Sequence, residues 1–147
     1  MTHNSTAIPC ARISAACLLF LAASASAEVV INEIMYRPVA TGSLENPAQE
    51  FIELHNTDPE NAVSLAGWRF TKGVNYLFSP TAGIPAGGYL VVAANLDAFN
   101  AKYPDAANAF GNWEGQLSNS GERIKLVDAG DKQIDEVRYS DQGDWAQ

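Results

Sequence analysis

The sequence predicts an all-β domain, a sandwich or barrel of antiparallel strands with one short helical excursion. Apolar residues fall in short runs that Gly, Pro and Asn separate, and no long stretch repeats them at helical spacing. The length of 147 residues fits one domain. With 47% hydrophobic and 18% charged residues, the composition excludes a disordered chain, a collagen and a coiled coil.

The first 27 residues predict a cleaved signal peptide. Residues 13–23 (ISAACLLFLAA) form an uncharged apolar run, which is shorter than the about 20 residues that a membrane-spanning helix needs. The segment Ala25-Ser26-Ala27 matches the A-x-A cleavage pattern and predicts cleavage before Glu28. We therefore expect export to the periplasm, the cell surface or the medium, with no membrane segment after cleavage.

Cleavage also changes the chemistry of the chain. It would remove Cys10 and Cys17, so residues 28–147 would contain no cysteine and form no disulfide. It would also remove Arg12, one of the nine basic residues, which leaves eight against 17 acidic residues and a net charge of −9. Because no three basic residues are clustered, we expect no nucleic-acid partner.

Four strands are predicted in the first half of this domain. Residues 29–36 (VVINEIMY) are rich in β-branched and aromatic residues, and Pro38 ends the run. In residues 50–56 (EFIELHN), Ile52 and Leu54 alternate with Phe51, Glu53 and His55. The remaining two predicted strands are residues 63–71, with an irregularity at Gly67, and residues 74–78.

The second half contains the predicted helix. The turn Pro85-Ala86-Gly87-Gly88 leads into residues 89–94 (YLVVAA), an apolar strand expected to be covered on both faces. Residues 96–103 predict the helix, with Asp97 as its cap and Pro104 after its end. Residues 122–128 and 133–139 predict a closing hairpin.

Six segments in order resemble the bacterial lamin-tail domain family: INEI (31–34), EFIELHN (50–56), LAGWRF (65–70), IPAGGYLVVA (84–93), LSNSGE (117–122) and DEVRY (135–139). The resemblance covers most of residues 29–139 and implies an immunoglobulin-like β-sandwich. It also implies a non-catalytic module of exported proteins, often beside an enzyme domain, and supplies no catalytic residue. The residues that carry the family motifs are Asn32, Glu33, Glu50, Glu53, Asn56, Gly67, Trp68 and Gly121.

The residues themselves also argue against catalysis. His55 is the one histidine after residue 27, and no cysteine accompanies it. Glu50 and Glu53 point to opposite faces of a strand, whereas Glu33 and Glu53 meet if the first two strands pair. The interpretation that we favour for such a glutamate is structural, with backbone N–H groups or Arg69 as its partner.

Calcium is the metal that an exported acidic domain suggests. There are three acidic turns, at residues 58–60, 128–131 and 141–144, and the candidate ligands are Asp128, Asp131, Asp141 and Asp144. None of the turns has the D-x-[DN]-x-[DN]-G pattern, and Asp and Gly also favour turns for backbone reasons. Zinc has no credible ligand set, and no cofactor is expected, with calcium as the alternative.

Tryptophan side chains are the candidates for ligand stacking. Trp68 lies in a predicted strand and is expected in the core. Trp113, between Gly111 and Gly115, is the better candidate for ligand binding, although an aromatic plug under a loop is the more common role of such a residue.

The sequence supports three hypotheses for the function of the protein. The first is an exported, non-catalytic module for adhesion, envelope architecture or presentation of a partner domain, with a protein or a cell-surface glycan as partner. The second is the amino-terminal accessory module of a larger secreted nuclease, phosphatase or kinase-like enzyme. The third is a calcium- or glycan-binding module.

Overall fold

The computed structural model describes residues 29–39 and 45–142, so the predicted signal peptide lies outside the described residues. The strands of this part are β1 (Val29–Met35), β2 (Phe51–Asn56), β3 (Val63–Ser64), β4 (Arg69–Lys72), β5 (Tyr76–Leu77), β6 (Gly83–Ile84), β7 (Tyr89–Ala93), β8 (Ala109–Gly111), β9 (Glu122–Val127) and β10 (Gln133–Tyr139). Its helical segments are α1 (Leu96–Lys102) and a 3₁₀ turn (Pro47–Gln49). Neither segment qualifies as a membrane span.

Two four-stranded sheets form most of the described part of the domain. The first sheet has the order β1-β2-β7-β8 and the second has the order β10-β9-β4-β5, while β3 and β6 form a small third sheet. The predicted all-β, immunoglobulin-like sandwich with one short helix is confirmed. Its β7–β8 pair, however, is parallel. Parallel neighbours need a crossover connection, and the segment that contains α1 provides it.

Two details differ from the strands and the cap predicted above. The predicted strand over residues 63–71 divides into β3 and β4, because Gly67 has φ +75° and Trp68 N–H donates to the Leu65 carbonyl in a turn. The helix cap is Asn95, whose side chain accepts from Ala98 N–H at 2.9 Å. The prediction of Asp97 as cap is therefore wrong, because Asp97 already lies in the first helical turn.

The main core lies between the two large sheets. Ile52 and Leu54 of β2 alternate inward and pack with residues such as Phe70 and Leu126 of the second sheet. A separate cluster covers the opposite, outer face of the first sheet, where Phe51 and Val91 pack against Phe99 of α1 and its neighbours. The first sheet is therefore apolar on both faces at β7, as the run of residues 89–94 predicts.

Candidate functional site

A β-bulge at Asn32 changes which side chains of β1 reach the outer face. Ile31 pairs with Leu54, but the next paired residue, Glu33, faces Glu53, so Asn32 is the inserted residue. Ile31 and Ile34 both pack on the main core. The Asn32 amide donates to Glu53 Oε1 at 2.7 Å.

Three aromatic side chains pack together beside Glu33 and Glu53. Phe51 of β2 meets Phe99 edge-on at a centroid distance of 5.5 Å and Tyr103 at 6.0 Å. Phe99 and Tyr103 are four residues apart and therefore share one face of α1 and its end. Together they enclose a cavity of about 280 Å³, here called the outer groove, whose lining residues are Glu33, Phe51, Glu53, Val91, Phe99, Tyr103 and Ala106.

The outer groove carries an uncompensated negative charge. Glu33 and Glu53 lie directly opposite each other on neighbouring strands, a placement that destabilises a sheet when both residues bear the same charge. Within residues 29–39 and 45–142, the ion pairs are Arg69–Asp131 and Arg123–Glu136. No basic side chain of the described chain therefore neutralises the glutamate pair.

The predicted meeting of Glu33 and Glu53 across the first two strands occurs, but the prediction of Arg69 as their partner is wrong. Arg69 lies on β4 in the second sheet, where its guanidinium pairs with Asp131 and donates to the Asp128 carbonyl at 3.4 Å. Both glutamates lie on the outer face of the first sheet, on the far side of the core from β4.

Glu50, three residues before Glu53, lies on the inner side of the same sheet and is 0% exposed. Its Oε2 accepts from Leu117 N–H at 3.0 Å, while Oε1 is buried and has no hydrogen-bond partner among the described residues. Burial raises the pKa of Glu50 to about 7, against the effect of the Leu117 N–H, and the charges of Glu45 and Glu122 raise it further.

The carboxylate of Glu122 connects the loop before β9 to Tyr139 at the end of β10. Its Oε1 accepts from Ser118 N–H at 2.6 Å and from the Tyr139 hydroxyl at 3.0 Å. Burial raises the pKa of Tyr139, and the carboxylate of Glu122 adds to the effect. Glu50 and Glu122 thus hold the loop before β9 against both large sheets, which is a role within the fold.

Other family-motif residues also stabilise turns. The buried Asn56 amide donates to the carbonyls of Asn61 at 2.8 Å and Pro85 at 3.0 Å, and its Oδ1 accepts from Asp58 N–H at 3.1 Å. Gly121 has φ +96°, and a Cβ atom there would lie 2.5 Å from the backbone oxygen of Tyr139. These positions therefore require their residue types for reasons of conformation and space.

The model of the Lamin Tail Domain family matches residues 22–141, a span that contains every described strand. The chain belongs to the lamin tail domain family. No curated protein matches the sequence. The family match and the sandwich agree, and they establish an immunoglobulin-like module.

The histidine of this lamin tail domain packs on an aromatic ring. His55 and Tyr89 face each other across β2 and β7, with ring centroids 4.4 Å apart and planes 15° apart. His55 is half-buried, whereas Tyr89 is 48% exposed. This stacked pair lies on the outer face of the first sheet, beside the outer groove.

The calcium candidates of this lamin tail domain do not converge in the described part. Asp128 Oδ1 accepts from the N–H groups of Gly130 and Lys132, at 2.8 and 2.9 Å. Asp131 pairs with Arg69, and Asp141 is exposed. Within residues 29–39 and 45–142 no three Asp, Glu, His or Cys side chains form a metal-binding group. Asp144 lies outside these residues, so calcium binding there stays a prediction.

The structure places Trp113 inside the lamin tail domain. The residue is 7% exposed and packs in the main core, and its buried Nε1 atom has no hydrogen-bond partner in the described part of the chain. This position corresponds to the plug under a loop, and the ring offers no open face for a sugar. Trp68 lies in the turn before β4, is half-buried and packs against the same core, so it is less buried than the predicted place in a core strand implies.

A second cavity of about 560 Å³ lies between the edge strands β1 and β10, with lining residues that include Ile31, Ile34, Tyr36 and Val137. Its lining contains no charged side chain. The outer groove is therefore the better candidate site, because its lining includes two carboxylates that form no ion pair within the described residues.

Sequence reasoning identified Glu33 and Glu53 but missed the aromatic residues that complete the outer groove. Phe99 and Tyr103 are four residues apart and so share one face of the predicted helix, yet their contact with Phe51 depends on where the crossover connection packs. A signal for the bulge does exist, because the apolar residues at 29, 31, 34 and 36 break the period of two between Ile31 and Ile34.

Proposed function

We propose that this lamin tail domain is an exported, non-catalytic binding module that engages a partner through the outer groove, in adhesion or envelope architecture. The observation that carries the proposal is the pair Glu33 and Glu53, held opposite each other beside an aromatic cavity. Two facing carboxylates cost stability. Their position on an open groove is explained if a partner supplies the missing positive or hydrogen-bonding groups.

The contacts of Glu50, Tyr139 and His55 favour a binding role of the domain over a catalytic one. Glu50 and Tyr139 are buried and engaged with the loop before β9. His55 stacks on Tyr89. A catalytic base needs access to a substrate proton, and the contacts of Glu50 serve packing instead.

The experiment uses protein secreted after expression of the full-length sequence. Amino-terminal sequencing of the product tests cleavage before Glu28. Amide NMR spectra are then recorded with separate panels of short peptides and of cell-surface glycans. We expect a ligand of one panel to shift amides of residues around the outer groove, such as Val91 and Ala106. Retention of the protein in the producing cell would contradict export, and the absence of groove shifts with both panels would contradict the binding role.

A further inference from the structure

We propose that the outer groove receives a basic side chain, Arg or Lys, carried on an extended segment of a partner protein. The inference rests on the proposed binding function and names the chemistry of the partner.

The groove matches a basic side chain in both polarity and size. Arg and Lys combine an apolar stem with a cationic head, and the groove places the rings of Phe51 and Phe99 beside the carboxylates of Glu33 and Glu53. A guanidinium offers several N–H donors to carboxylates in charge-assisted hydrogen bonds. The cavity of about 280 Å³ lies at the lower limit of the about 300–1,000 Å³ that drug-sized ligands occupy.

The carboxylates have free acceptor capacity for such a cation. Within residues 29–39 and 45–142, Glu53 Oε1 accepts one hydrogen bond, from the Asn32 amide, and the exposed carboxylate of Glu33 accepts none. An entering cation would be attracted to both carboxylates, and this attraction would offset the repulsion between them. The basic residue beside the groove, Lys102, is held elsewhere, because its Nζ donates to Gln49 at 3.2 Å and lies 5.3 Å from the Tyr103 centroid.

A sugar fits the groove less well than a basic side chain. Sugars stack on open aromatic faces, whereas Phe51 and Phe99 are 7% and 3% exposed and present little ring surface. An anionic ligand would meet the two carboxylates and, after the predicted cleavage, a chain of net charge −9.

The surface around the groove favours a side chain on a polypeptide over a free cation. His55 is two residues from Glu53, and Tyr89 is two residues from Val91, so the stacked pair lies on the same face as the groove. The exposed ring of Tyr89 therefore extends the contact surface along the strands. A free diamine or arginine would use the groove alone, whereas neighbouring residues of a partner segment would also contact this pair.

The test measures affinities of short peptides by amide NMR titration, with the full-length protein after secretion. The peptides are identical except at one central position, which is Arg, Lys or citrulline, the neutral analogue of Arg. We expect the Arg and Lys peptides to shift groove amides and to bind more weakly as salt rises. The citrulline peptide is expected to bind about tenfold more weakly than the Arg peptide.

Matched variants assign the effect to the groove. The double variant Glu33→Gln with Glu53→Gln is expected to lower affinity for the Arg peptide about tenfold, without loss of folding, because it removes a like-charge pair. The control double variant Glu60→Gln with Glu114→Gln removes the same number of charges from two exposed glutamates that do not line the groove, and it is expected to leave affinity unchanged. Equal losses in both variants would show a general charge effect and overturn the inference.

The remaining outcomes separate this inference from the proposed function. Equal binding of the Arg and citrulline peptides, or binding of free arginine as tight as the Arg peptide, would overturn the inference. If a neutral glycan shifts the groove amides and the Arg and Lys peptides do not, the groove is a binding site for another partner and this inference fails alone. If neither class of ligand shifts the groove amides, both proposals fail.

Discussion

Replacing Glu50 with Gln is expected to stabilise the protein above neutral pH and to flatten the pH dependence of its unfolding free energy. Glu50 is fully buried, and its pKa rises from 4.5 to about 7 on folding. Because the folded pKa lies above the unfolded one, the stability linked to protonation is fully present below about pH 4.5. It is lost as the pH rises through about 7.

The size of the effect follows from the pKa shift. Each pKa unit corresponds to about 1.4 kcal/mol, so a shift from 4.5 to about 7 corresponds to about 3 kcal/mol. Gln has nearly the same shape and retains an oxygen that can accept from Leu117 N–H. It also carries no charge beside Glu45 and Glu122, whose carboxylates raise the pKa of Glu50.

Urea unfolding at several pH values between about 5 and about 8 measures this effect. The unfolding free energy of the wild-type protein is expected to fall relative to that of Glu50→Gln over this range, and the variant is expected to be the more stable at the upper end. The exposed Glu60→Gln serves as control and should follow the wild type. Parallel pH profiles for the wild type and Glu50→Gln would refute the reasoning, because the carboxyl would then not titrate in this window.

Three further substitutions test the local structure by urea unfolding. Glu33→Gln is expected to raise the unfolding free energy by less than about 1 kcal/mol, more at low salt, and a decrease would contradict the like-charge argument. Gly121→Ala is expected to lower it by about 2 kcal/mol or more, since the residue has φ +96° and no room for Cβ, whereas Gly130→Ala should stay within about 0.5 kcal/mol. Asn95→Ala is expected to cost about 1 kcal/mol and Asp97→Ala less, and the opposite order would restore Asp97 as the cap.

The strands with a clear alternation of apolar residues were predicted close to their observed bounds. The strand over residues 50–56 appears as β2 (Phe51–Asn56), and the hairpin over residues 122–139 appears as β9 and β10. In contrast, β6 and β8 have two and three residues. Segments of that length carry too few residues to show a period, so their pairing depends on neighbours that are distant in sequence.

The candidate site was predictable in part. Once β1 and β2 were paired, Glu33 and Glu53 were expected to meet, and they do. The choice of Arg69 as partner failed, because a pattern of charges does not show which sheet a strand joins. The aromatic side of the groove depends on α1, which packs on the outer face of the first sheet as part of the crossover to β8.

The sequence by itself determined the class of fold, the short helix and turns such as Pro85-Ala86-Gly87-Gly88, because alternation, Gly and Pro act locally. Only the tertiary structure decided which carboxylates are buried and which face solvent. Glu50 and Glu53 are three residues apart. Glu50 is nevertheless buried under the loop before β9, whereas Glu53 lines the outer groove. Burial and charge at each position depend on segments far along the chain, and these segments come together only in the folded sandwich.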